Sequence, residues 1–439
     1  MATTCSAARS KLEEAASQIQ NSQDESKKYE TVSLAEAIGR VAARDYLSPI
    51  STPEFDTSAM DGYAISSSLT NLATPETPVF FCIRGTIAAG DKPKSISPKD
   101  DMALNSCVEI MTGAQFPEGE EVLDACVKVE DTVRIAGEVP CIAVSKPVPR
   151  YANRRFAGED IQKGKVVLRK GSLMRASHIM PLASVGIDAI EVLKRPKVCI
   201  WSTGNELTSK TSHVRDVNGV YLTAASKEAG AEATFMGSIH DEVESLVCSI
   251  RERLELLSTD IMITSGGVSV GKFDHVRQAL EILGAKIVFH GVSIRPGHPV
   301  LFALLPSPFG EVAFFGLPGN PGAAAACFKF LTVPYIKLLL GQQPENPMLA
   351  RLENLELGSS ARKSNMDAPN RGLNCDRFRP GVLDLTGREP TVHDAPGVLG
   401  PAKMKPFVEA NCWIHIEANE RLEAGQMVSC YPMNDTSIL

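Results

Sequence analysis

The chain has 439 residues, of which 44% are hydrophobic and 22% charged, and its formal net charge is −7. This length accommodates two to four domains of roughly 100–200 residues each. The acidic balance argues against broad binding to nucleic acid or anionic membranes, and no run approaches the ~18 consecutive apolar residues of a membrane span. The eleven cysteines form no Cys-x-x-Cys pair and the N-terminus is polar, which favours free thiols in a reducing, cytoplasmic compartment.

The N-terminal part of the chain predicts helices that flank a β-rich stretch. Helical patterns cover 7–19 and 33–43, the latter because Ser33 and Glu36 form a capping-box pair. Short β-type runs with Pro and Gly punctuation fill residues 46–144, which favours a small all-β unit. A further helix is predicted over 177–185.

From about 191 to 341, strand and helix patterns alternate, which is typical of a parallel α/β sheet with helices on its faces. Strands are predicted at 197–202, 233–239, 261–265, 286–290 and 312–316, and helices at 222–229, 242–256, from 274 and at 322–340. The Pro-rich segment 341–347 is interpreted as a linker. Residues 342–439 show short alternating strand patterns, which predict a β-barrel or β-rich end domain.

The most informative segment lies at 264–274, where Thr-Ser-Gly-Gly-Val-Ser-Val-Gly-Lys-Phe-Asp separates a predicted strand from a predicted helix. Backbone N–H groups collected in such a loop can hold an anion. Gly266, Gly271 and Lys272 match the P-loop spacing, but Phe273 stands where a P-loop has the Ser or Thr that binds magnesium. The loop is therefore predicted to hold a phosphate without belonging to a nucleoside triphosphatase, and Asp274 is the nearest alternative metal ligand.

Two other loops, 203–206 and 318–321, also follow predicted strands. In a parallel sheet, ligands bind at the carboxyl ends of the strands. We therefore expect these two loops and the glycine loop to form one composite site.

Motifs of one known family run through the chain in that family's order. They are 58–64 (Ser-Ala-Met-Asp-Gly-Tyr-Ala), 111–114 (Met-Thr-Gly-Ala), 158–161 (Gly-Glu-Asp-Ile), 202–207 (Ser-Thr-Gly-Asn-Glu-Leu), 265–271 with Asp274, 296–299 (Pro-Gly-His-Pro) and 316–321 (Gly-Leu-Pro-Gly-Asn-Pro). On these motifs the chain resembles the MoeA family, which includes the E domains of plant Cnx proteins and of gephyrin. These are the enzymes that insert molybdate into molybdopterin. The similarity extends from about 30 to 435.

The resemblance implies a multidomain α/β plus β protein with four parts. These are a discontinuous linker domain (1–45 and 145–190), an inserted β domain (46–144), a MogA-like three-layer α/β domain with a parallel sheet that carries the pterin site (191–341), and a C-terminal β-barrel (342–439). It also implies an elongated homodimer, in which the β domain of one subunit brings Asp61 and Thr112 to the glycine loop of the other. The expected partners are small-molecule substrates, without nucleic acid or membrane.

The reaction implied by the resemblance is Mg²⁺-dependent cleavage of adenylylated molybdopterin, with insertion of molybdate and release of AMP. The acidic residues at the family's essential positions are Asp61, Glu206, Asp241 and Asp274, of which Asp61, Glu206 and Asp274 would bind the metal. The residues that would bind the substrate are Thr112, Arg155, Thr203, Ser265, Gly266, Gly267, Ser269, Gly271, Arg295, His298, Pro318, Gly319, Asn320 and Pro321. Within that set, Arg155, Arg295 and His298 would hold the oxyanion.

Departures from the family pattern fall in the same predicted site. The family often has aspartate at the position of Asn205, a lysine at or near Gly291, and a lysine at the position of His298, whose charge near neutral pH is partial. Three interpretations remain open: a divergent but working homologue, a paralogue that acts on another adenylylated or phosphorylated small molecule, and a non-enzymatic scaffold such as gephyrin also is. The sequence favours the first of them.

Overall fold

A computed structural model describes residues 3–22, 28–92, 105–117, 123–208, 214–256, 259–268, 274–353, 374–397 and 400–433. The chain divides into two compact units. The larger unit comprises Met1–Thr31, Gly39–Ala43 and Glu191–Leu439, and the smaller unit comprises Val32–Ile38 and Arg44–Ile190.

The chain begins with helix α1 (Cys5–Ser22) and strand β1 (Tyr29–Ser33). The helix predicted over 33–43 is wrong, although its capping pair forms: the Glu36 carboxylate accepts hydrogen bonds from the backbone N–H (3.3 Å) and hydroxyl (2.8 Å) of Ser33. The turn that follows ends at Gly39, whose φ of +75° is left-handed. Ala42 then forms a β-bridge with Val192, so tertiary pairing overrides the local helical signal.

The smaller unit is mostly β-structure, as predicted. Its elements are β2 (Tyr46–Leu47), β3 (Thr57–Ser58), β4 (Gly62–Ile65), β5 (Val79–Ile87), β6 (Ser106–Ile110), β7 (Ala125–Lys128), β8 (Thr132–Ile135), β9 (Cys141–Val144), β10 (Arg154–Arg155), β11 (Val166–Leu168) and α2 (Ala176–Ser184). Six of the strands form one sheet in the order β7-β4-β6-β5-β9-β8, in which β5 and β6 are parallel and the other neighbours antiparallel. Tyr63, Phe81 and Ile142 pack in its core.

The larger unit continues from strand β12 (Ala189–Leu193), which spans the boundary between the units. Its strands are β13 (Lys197–Thr203), β14 (Glu232–Ile239), β15 (Ile261–Ser265), β16 (Lys286–His290), β17 (Ile294–Arg295), β18 (Leu301–Ser307) and β19 (Gly310–Leu317). Its helices are α3 (Asn205–Thr208), α4 (Asn218–Glu228), α5 (Val243–Leu256), α6 (His275–Ile282), α7 (Pro321–Cys327) and α8 (Val333–Leu339), the last two joined by a π-helical turn (Phe328–Thr332).

Six of these strands form a mixed sheet in the order β14-β13-β15-β19-β18-β16. The strands β14, β13, β15 and β19 are parallel, as predicted. The sequence analysis did not predict β18, which runs antiparallel to both β19 and β16. The parallel part of the sheet therefore has four neighbouring strands, whose carboxyl ends share one edge.

Helices cover both faces of this sheet, which gives the predicted three-layer arrangement. On one face, Leu246 of α5 and Leu280 of α6 pack in a cluster with Trp201 and Phe314. On the other face, the Tyr335 ring of α8 lies 5.5–5.6 Å from the rings of two sheet phenylalanines. The continuous helical run Pro321–Leu339 is apolar and long enough to span a membrane by composition alone, but 67% of its apolar window is buried within the protein, as expected for a core helix.

The C-terminal part of the larger unit contains the predicted β-barrel. Its strands are β20 (Met348–Leu352), β21 (Asp376–Asp384), β22 (Thr391–Asp394), β23 (Cys412–Ile416) and β24 (Met427–Pro432). They pair in the order β21-β22-β20-β24-β23, and β23 pairs again with β21, which closes the ring. The strand β17 adds to β21 in parallel and so connects the α/β part to the barrel.

Candidate functional site

The three loops of the predicted composite site lie at one edge of the α/β sheet. In the sheet register, Ser202 of β13 is opposite Ser265 of β15, and Ser265 is opposite Leu317 of β19. The segments that follow these residues therefore begin side by side. The structure confirms that they share one edge, as the sequence predicted.

Hydrogen bonds fasten the loops after β15 and β19 to each other. The Gly266 N–H donates to the carbonyl oxygen of Leu317 (2.9 Å), and the Ser265 hydroxyl donates to that of Pro318 (3.2 Å). The buried Asn218 amide, at the start of α4, donates to both the Ser265 hydroxyl (2.8 Å) and the Gly319 carbonyl oxygen (2.7 Å). These bonds hold the two loops together as one surface, which we call the floor of the site.

Sequence reasoning missed Asn218 as a site residue. It belongs to the segment Asp216-Val217-Asn218-Gly219, where the family pattern is Asp-x-Asn-Arg, far from either loop in sequence. Its role depends on where α4 begins relative to the strand ends, which is a tertiary property. Because one amide group bridges two loops, Asn218 positions the floor of the site.

Gly266 and Gly267, at the start of the glycine loop, lie too close to neighbouring atoms for a residue with a Cβ. Gly266 has φ +100° and Gly267 has φ +63°, conformations that other residues rarely adopt. A Cβ on Gly266 would collide with the carbonyl oxygen of Thr203, and one on Gly267 would lie 2.8 Å from Asp241 Oδ1 and 2.9 Å from Thr203 Oγ1. The loop backbone therefore packs directly against the ends of β13 and β14.

The predicted phosphate cradle is described only in part. Ser269 and Gly271 lie outside the described residues, as do Lys272 and Phe273. Of the described part, the Gly266 N–H is already used by Leu317. The carbonyl oxygen of Asn320 accepts from Ala323 and Ala324, so the 318–321 loop ends as the first turn of α7.

Oxygen atoms converge where the ends of β13 and β14 meet Gly267. The hydroxyl of Thr203 is buried and has no hydrogen-bond partner among the described residues. Asp241 Oδ1 also makes no hydrogen bond there, although it lies 3.4 Å from His275 Nδ1. The Glu206 carboxylate folds back over Gly204, where a Cβ would come within 2.6 Å of it.

Asn205 still has a hydrogen-bonding role at this edge. Its side-chain oxygen accepts a hydrogen bond from the Asp241 backbone N–H (3.2 Å). An aspartate could accept the same bond, so the substitution removes a negative charge and keeps an acceptor.

Asp274 is placed differently, at the start of α6. It is 5% exposed and is the N-cap of α6, since its Oδ1 accepts the Arg277 N–H (3.1 Å). Its Oδ2 lies 3.3 Å from His290 Nε2, and both side chains are largely buried. Burial raises the pKa of the Asp274 carboxyl, while the Arg277 N–H and the charge of His290 act in the opposite direction.

The predicted oxyanion residues of the larger unit lie next to the barrel and to β16. Arg295 is in β17 and pairs with Arg377 of β21. His298 is exposed and its Nδ1 is 2.8 Å from the Val292 carbonyl oxygen. A Cβ on Gly291 would lie 3.7 Å from the His298 ring, so two departures from the family pattern are neighbours.

The smaller unit joins Asp61 to Thr112, two of the predicted site residues. Asp61 Oδ1 accepts hydrogen bonds from the Thr112 N–H (2.6 Å) and hydroxyl (2.8 Å), which lower the pKa of this exposed carboxyl. Arg155 is exposed and its Nε donates to Glu159 Oε1 (2.8 Å), which lowers the pKa of Glu159. An exposed ion pair of this kind is weak, so Arg155 can release Glu159 and bind another anion.

The part of the chain that the structure describes contains no group of three or more His, Cys, Asp or Glu side chains arranged to hold a metal ion. Mg²⁺, however, is usually held by one or two carboxylates together with substrate phosphates and water. Asp241 Oδ1 and the unbonded hydroxyl of Thr203 both lie against Gly267, and the Glu206 carboxylate lies over Gly204, the residue after Thr203.

Two family models match the chain. The model "MoeA N-terminal region (domain I and II)" matches residues 7–186, and the model "Probable molybdopterin binding domain" matches residues 199–338. The second match includes the whole strand-end site, by which we mean the loops after β13, β15 and β19 together with Asn218 and Asp241. The C-terminal barrel lies outside both matches.

Curated relatives and a solved structure agree with these matches. The chain is 30% identical over 415 residues to the molybdopterin molybdenumtransferase of Haemophilus influenzae (92% of this chain, 94% of the relative). It is 34% identical over 313 residues to that of Synechococcus elongatus (70% and 74%). The crystal structure of the molybdopterin biosynthesis MoeA protein from Pyrococcus horikosii superposes with a TM-score of 0.74 at 28% identity, covering 97% of this chain and 99% of that one.

Proposed function

Since the chain belongs to the MoeA family of molybdopterin molybdenumtransferases, we propose that it cleaves adenylylated molybdopterin at the strand-end site with Mg²⁺, inserts molybdate and releases AMP. The chain is a transferase of molybdenum cofactor biosynthesis. The observation that carries the finer assignment is the floor formed by the loops after β15 and β19, which Asn218 locks together beside Thr203 and Asp241.

The pterin substrate would lie on this floor. The tight contact of Gly266 with Thr203 keeps side chains out of the start of the loop, and Gly267 is the first partly exposed backbone position there. Ser265 is held by Asn218 and so supports the loop from below. We assign Thr203, Gly267 and the 318–321 loop to the pocket wall, and the predictions for Ser269 and Gly271 stand as sequence predictions.

The metal would be held mainly by Glu206 and Asp241. Both carboxylates lie at the ends of adjacent strands, and Thr203 supplies a buried oxygen with unused bonding capacity. Bound Mg²⁺ would neutralise charge on the phosphoanhydride. Asp274 remains a predicted ligand, but its burial and its bond to Arg277 favour support of α6.

The remaining predicted residues would act on the oxyanion. Arg295 supplies a permanent charge, and the ring of His298 is oriented by the contact of its Nδ1 with the Val292 carbonyl oxygen. Asp61, fixed by Thr112, and Arg155 belong to the smaller unit. We propose that the protein is a cytoplasmic homodimer in which Asp61 and Arg155 of one subunit complete the site of the other.

The direct test combines the purified chain, adenylylated molybdopterin, molybdate and Mg²⁺. We expect AMP release, measured by chromatography, and active cofactor, measured by reconstitution of a molybdenum-free acceptor enzyme. Chelation of Mg²⁺ by EDTA should stop AMP release and added Mg²⁺ should restore it. Asp384→Asn, at an exposed barrel turn, is the matched control for Asp241→Asn.

The outcomes separate the interpretations that the sequence left open. AMP release that does not depend on molybdate and yields no active cofactor would indicate a paralogue with a different product. No AMP release under any metal condition would contradict the enzymatic assignment. Equal metal requirements for Asp241→Asn and Asp384→Asn would remove Asp241 from the metal site.

A further inference from the structure

Two thiols face each other on the sheet of the smaller unit, and no step of the proposed reaction uses them. Cys82 lies in β5 and Cys141 is the first residue of β9, and the two are direct partners in the antiparallel pairing. Their sulfur atoms are 3.3 Å apart, with the Cys141 thiol donating to Cys82 Sγ. Both are free thiols of intermediate exposure.

The backbone geometry at this pair suits a covalent bond. The Ile83 N–H donates to the carbonyl oxygen of Pro140 (2.9 Å), so Ile83 and Pro140 occupy the hydrogen-bonded position of the ladder. Cys82 and Cys141 therefore form the adjacent non-hydrogen-bonded pair, in which Cα atoms are about 4.5 Å apart and side chains are closest. That separation lies within the range of about 4.4–6.8 Å found for disulfides.

The charge around the pair distinguishes it from the neighbouring cysteines. The contact with Cys82 raises the pKa of Cys141, whereas the positive charge of Arg84 acts to lower it. The Arg84 guanidinium is held on this part of the sheet by the Ser106 hydroxyl (3.2 Å). Burial, by contrast, raises the pKa of Cys107 to about 12 and makes it a poor nucleophile.

We propose that Cys82 and Cys141 are a redox-active dithiol that a peroxide converts into a reversible cross-strand disulfide. The Cys82 thiolate attacks one peroxide oxygen, the O–O bond breaks, and a sulfenic acid forms at Cys82 with release of water. The Cys141 sulfur then attacks the sulfenic sulfur, the S–O bond breaks, and a second water leaves. Overall, two thiols give up two electrons and two hydrogens to one peroxide, and a thiol reductant reverses the change.

The disulfide would join β5 to β9 within the six-stranded sheet. The strand β5 is also paired with β6, which leads into Thr112, the partner of Asp61. Oxidation would therefore stiffen the sheet that carries the Asp61–Thr112 contact, without contacting Asp61 itself. We expect the oxidised protein to unfold at a higher temperature than the reduced protein.

The experiment treats the full-length protein with stoichiometric hydrogen peroxide and maps the cysteines by peptide mass spectrometry. We expect a peptide pair linked through Cys82 and Cys141, a loss of two hydrogens in mass, and full recovery with dithiothreitol. Cys248 is exposed and serves as the internal control, since it should remain unlinked within the chain. Cys141→Ser should leave a sulfenic acid at Cys82 that dimedone traps, whereas Cys82→Ser should give at least several-fold less trapping at Cys141.

Arg84→Gln should slow disulfide formation several-fold, and Arg134→Gln, at an arginine of the same sheet that pairs with Glu109, should not. Equal rates for the two variants would overturn the role of Arg84. Oxidation of Cys82 and Cys141 no faster than that of Cys248, or peroxide-dependent oxidation beyond sulfenic acid without any linked peptide, would overturn the proposal itself.

Discussion

Two aspartate–histidine pairs meet at the start of α6, where His275 of one pair directly follows Asp274 of the other, and the pairs differ in exposure. The outer pair, Asp241 and His275, is separated by 3.4 Å and is 29% and 26% exposed. The inner pair, Asp274 and His290, is separated by 3.3 Å and is only 8% and 12% exposed. Asp274 of the inner pair also caps α6, whereas Asp241 of the outer pair lies against Gly267. On this difference in burial and bonding we propose Asp241 for the metal site and Asp274 for the support of α6.

The largest effect should come from Gly266, at the start of the glycine loop. Gly266→Ala would place a methyl group against the Thr203 carbonyl oxygen at a left-handed φ of +100°. We expect activity to fall by about 100-fold or more, because displacement of the floor misplaces the substrate. AMP release under saturating substrate is the measurement.

Gly237→Ala is the matched control for this change. Gly237 lies in β14 of the same sheet with φ +101°, but no atom of the described residues lies within 4 Å of the position its Cβ would take. It should carry a similar backbone cost, of order 1–3 kcal/mol, and keep most activity. If both variants lose activity equally, strain rather than collision explains the effect.

Replacement of the aspartate by alanine should lower activity in the outer pair and stability in the inner pair. Asp241→Ala should lower activity by about 10–100-fold through a weaker metal site, with unfolding free energy changed by no more than about 0.5 kcal/mol. Asp274→Ala removes the cap of α6 and should cost about 1–2 kcal/mol of stability. Urea unfolding and Mg²⁺ titration of AMP release measure the two effects. A stable, inactive Asp274→Ala protein would instead restore Asp274 as a metal ligand.

A smaller effect is expected from the amide that locks the floor. Asn218→Ala removes the bonds to Ser265 and Gly319, and we expect kcat/KM to fall about tenfold. Asn411→Ala removes a comparable bridge to both backbone groups of Leu383 in the barrel. It should lower the melting temperature without a comparable change in kcat/KM, and equal kinetic losses would contradict a specific role for Asn218.

The smallest effect is expected at the Asp61–Thr112 contact of the smaller unit. The pKa of Asp61 is held below its ordinary value, so the Thr112 contact favours the folded state above that ordinary pKa and is lost as pH falls through the lowered one. Thr112→Val removes the hydroxyl bond and keeps the backbone bond, so the pKa of Asp61 should rise toward its ordinary value without reaching it. NMR titration measures it. Thr86→Val, which removes a threonine–Glu109 bond of the same sheet, should leave Asp61 unchanged.

Local patterns were sufficient for most of the fold. Apolar runs bounded by Gly and polar residues located β13, β15 and β19, because these strands are buried in the sheet. The same approach failed at 33–43, where a genuine capping pair is followed by a β-bridge to Val192. It also missed β18, whose antiparallel pairing is not encoded in its own hydrophobic pattern.

By itself, the sequence determined the family, most of the strands and helices, and the loops that carry the predicted site, because motifs and hydrophobic periodicity are local properties. Only the tertiary structure decided which acid is buried as a helix cap and which is more exposed, since burial depends on partners distant in sequence. Asp274 meets His290, and Asn218 bridges Ser265 and Gly319, through contacts that no motif records. The facing thiols Cys82 and Cys141, 59 positions apart, became a pair only through strand register.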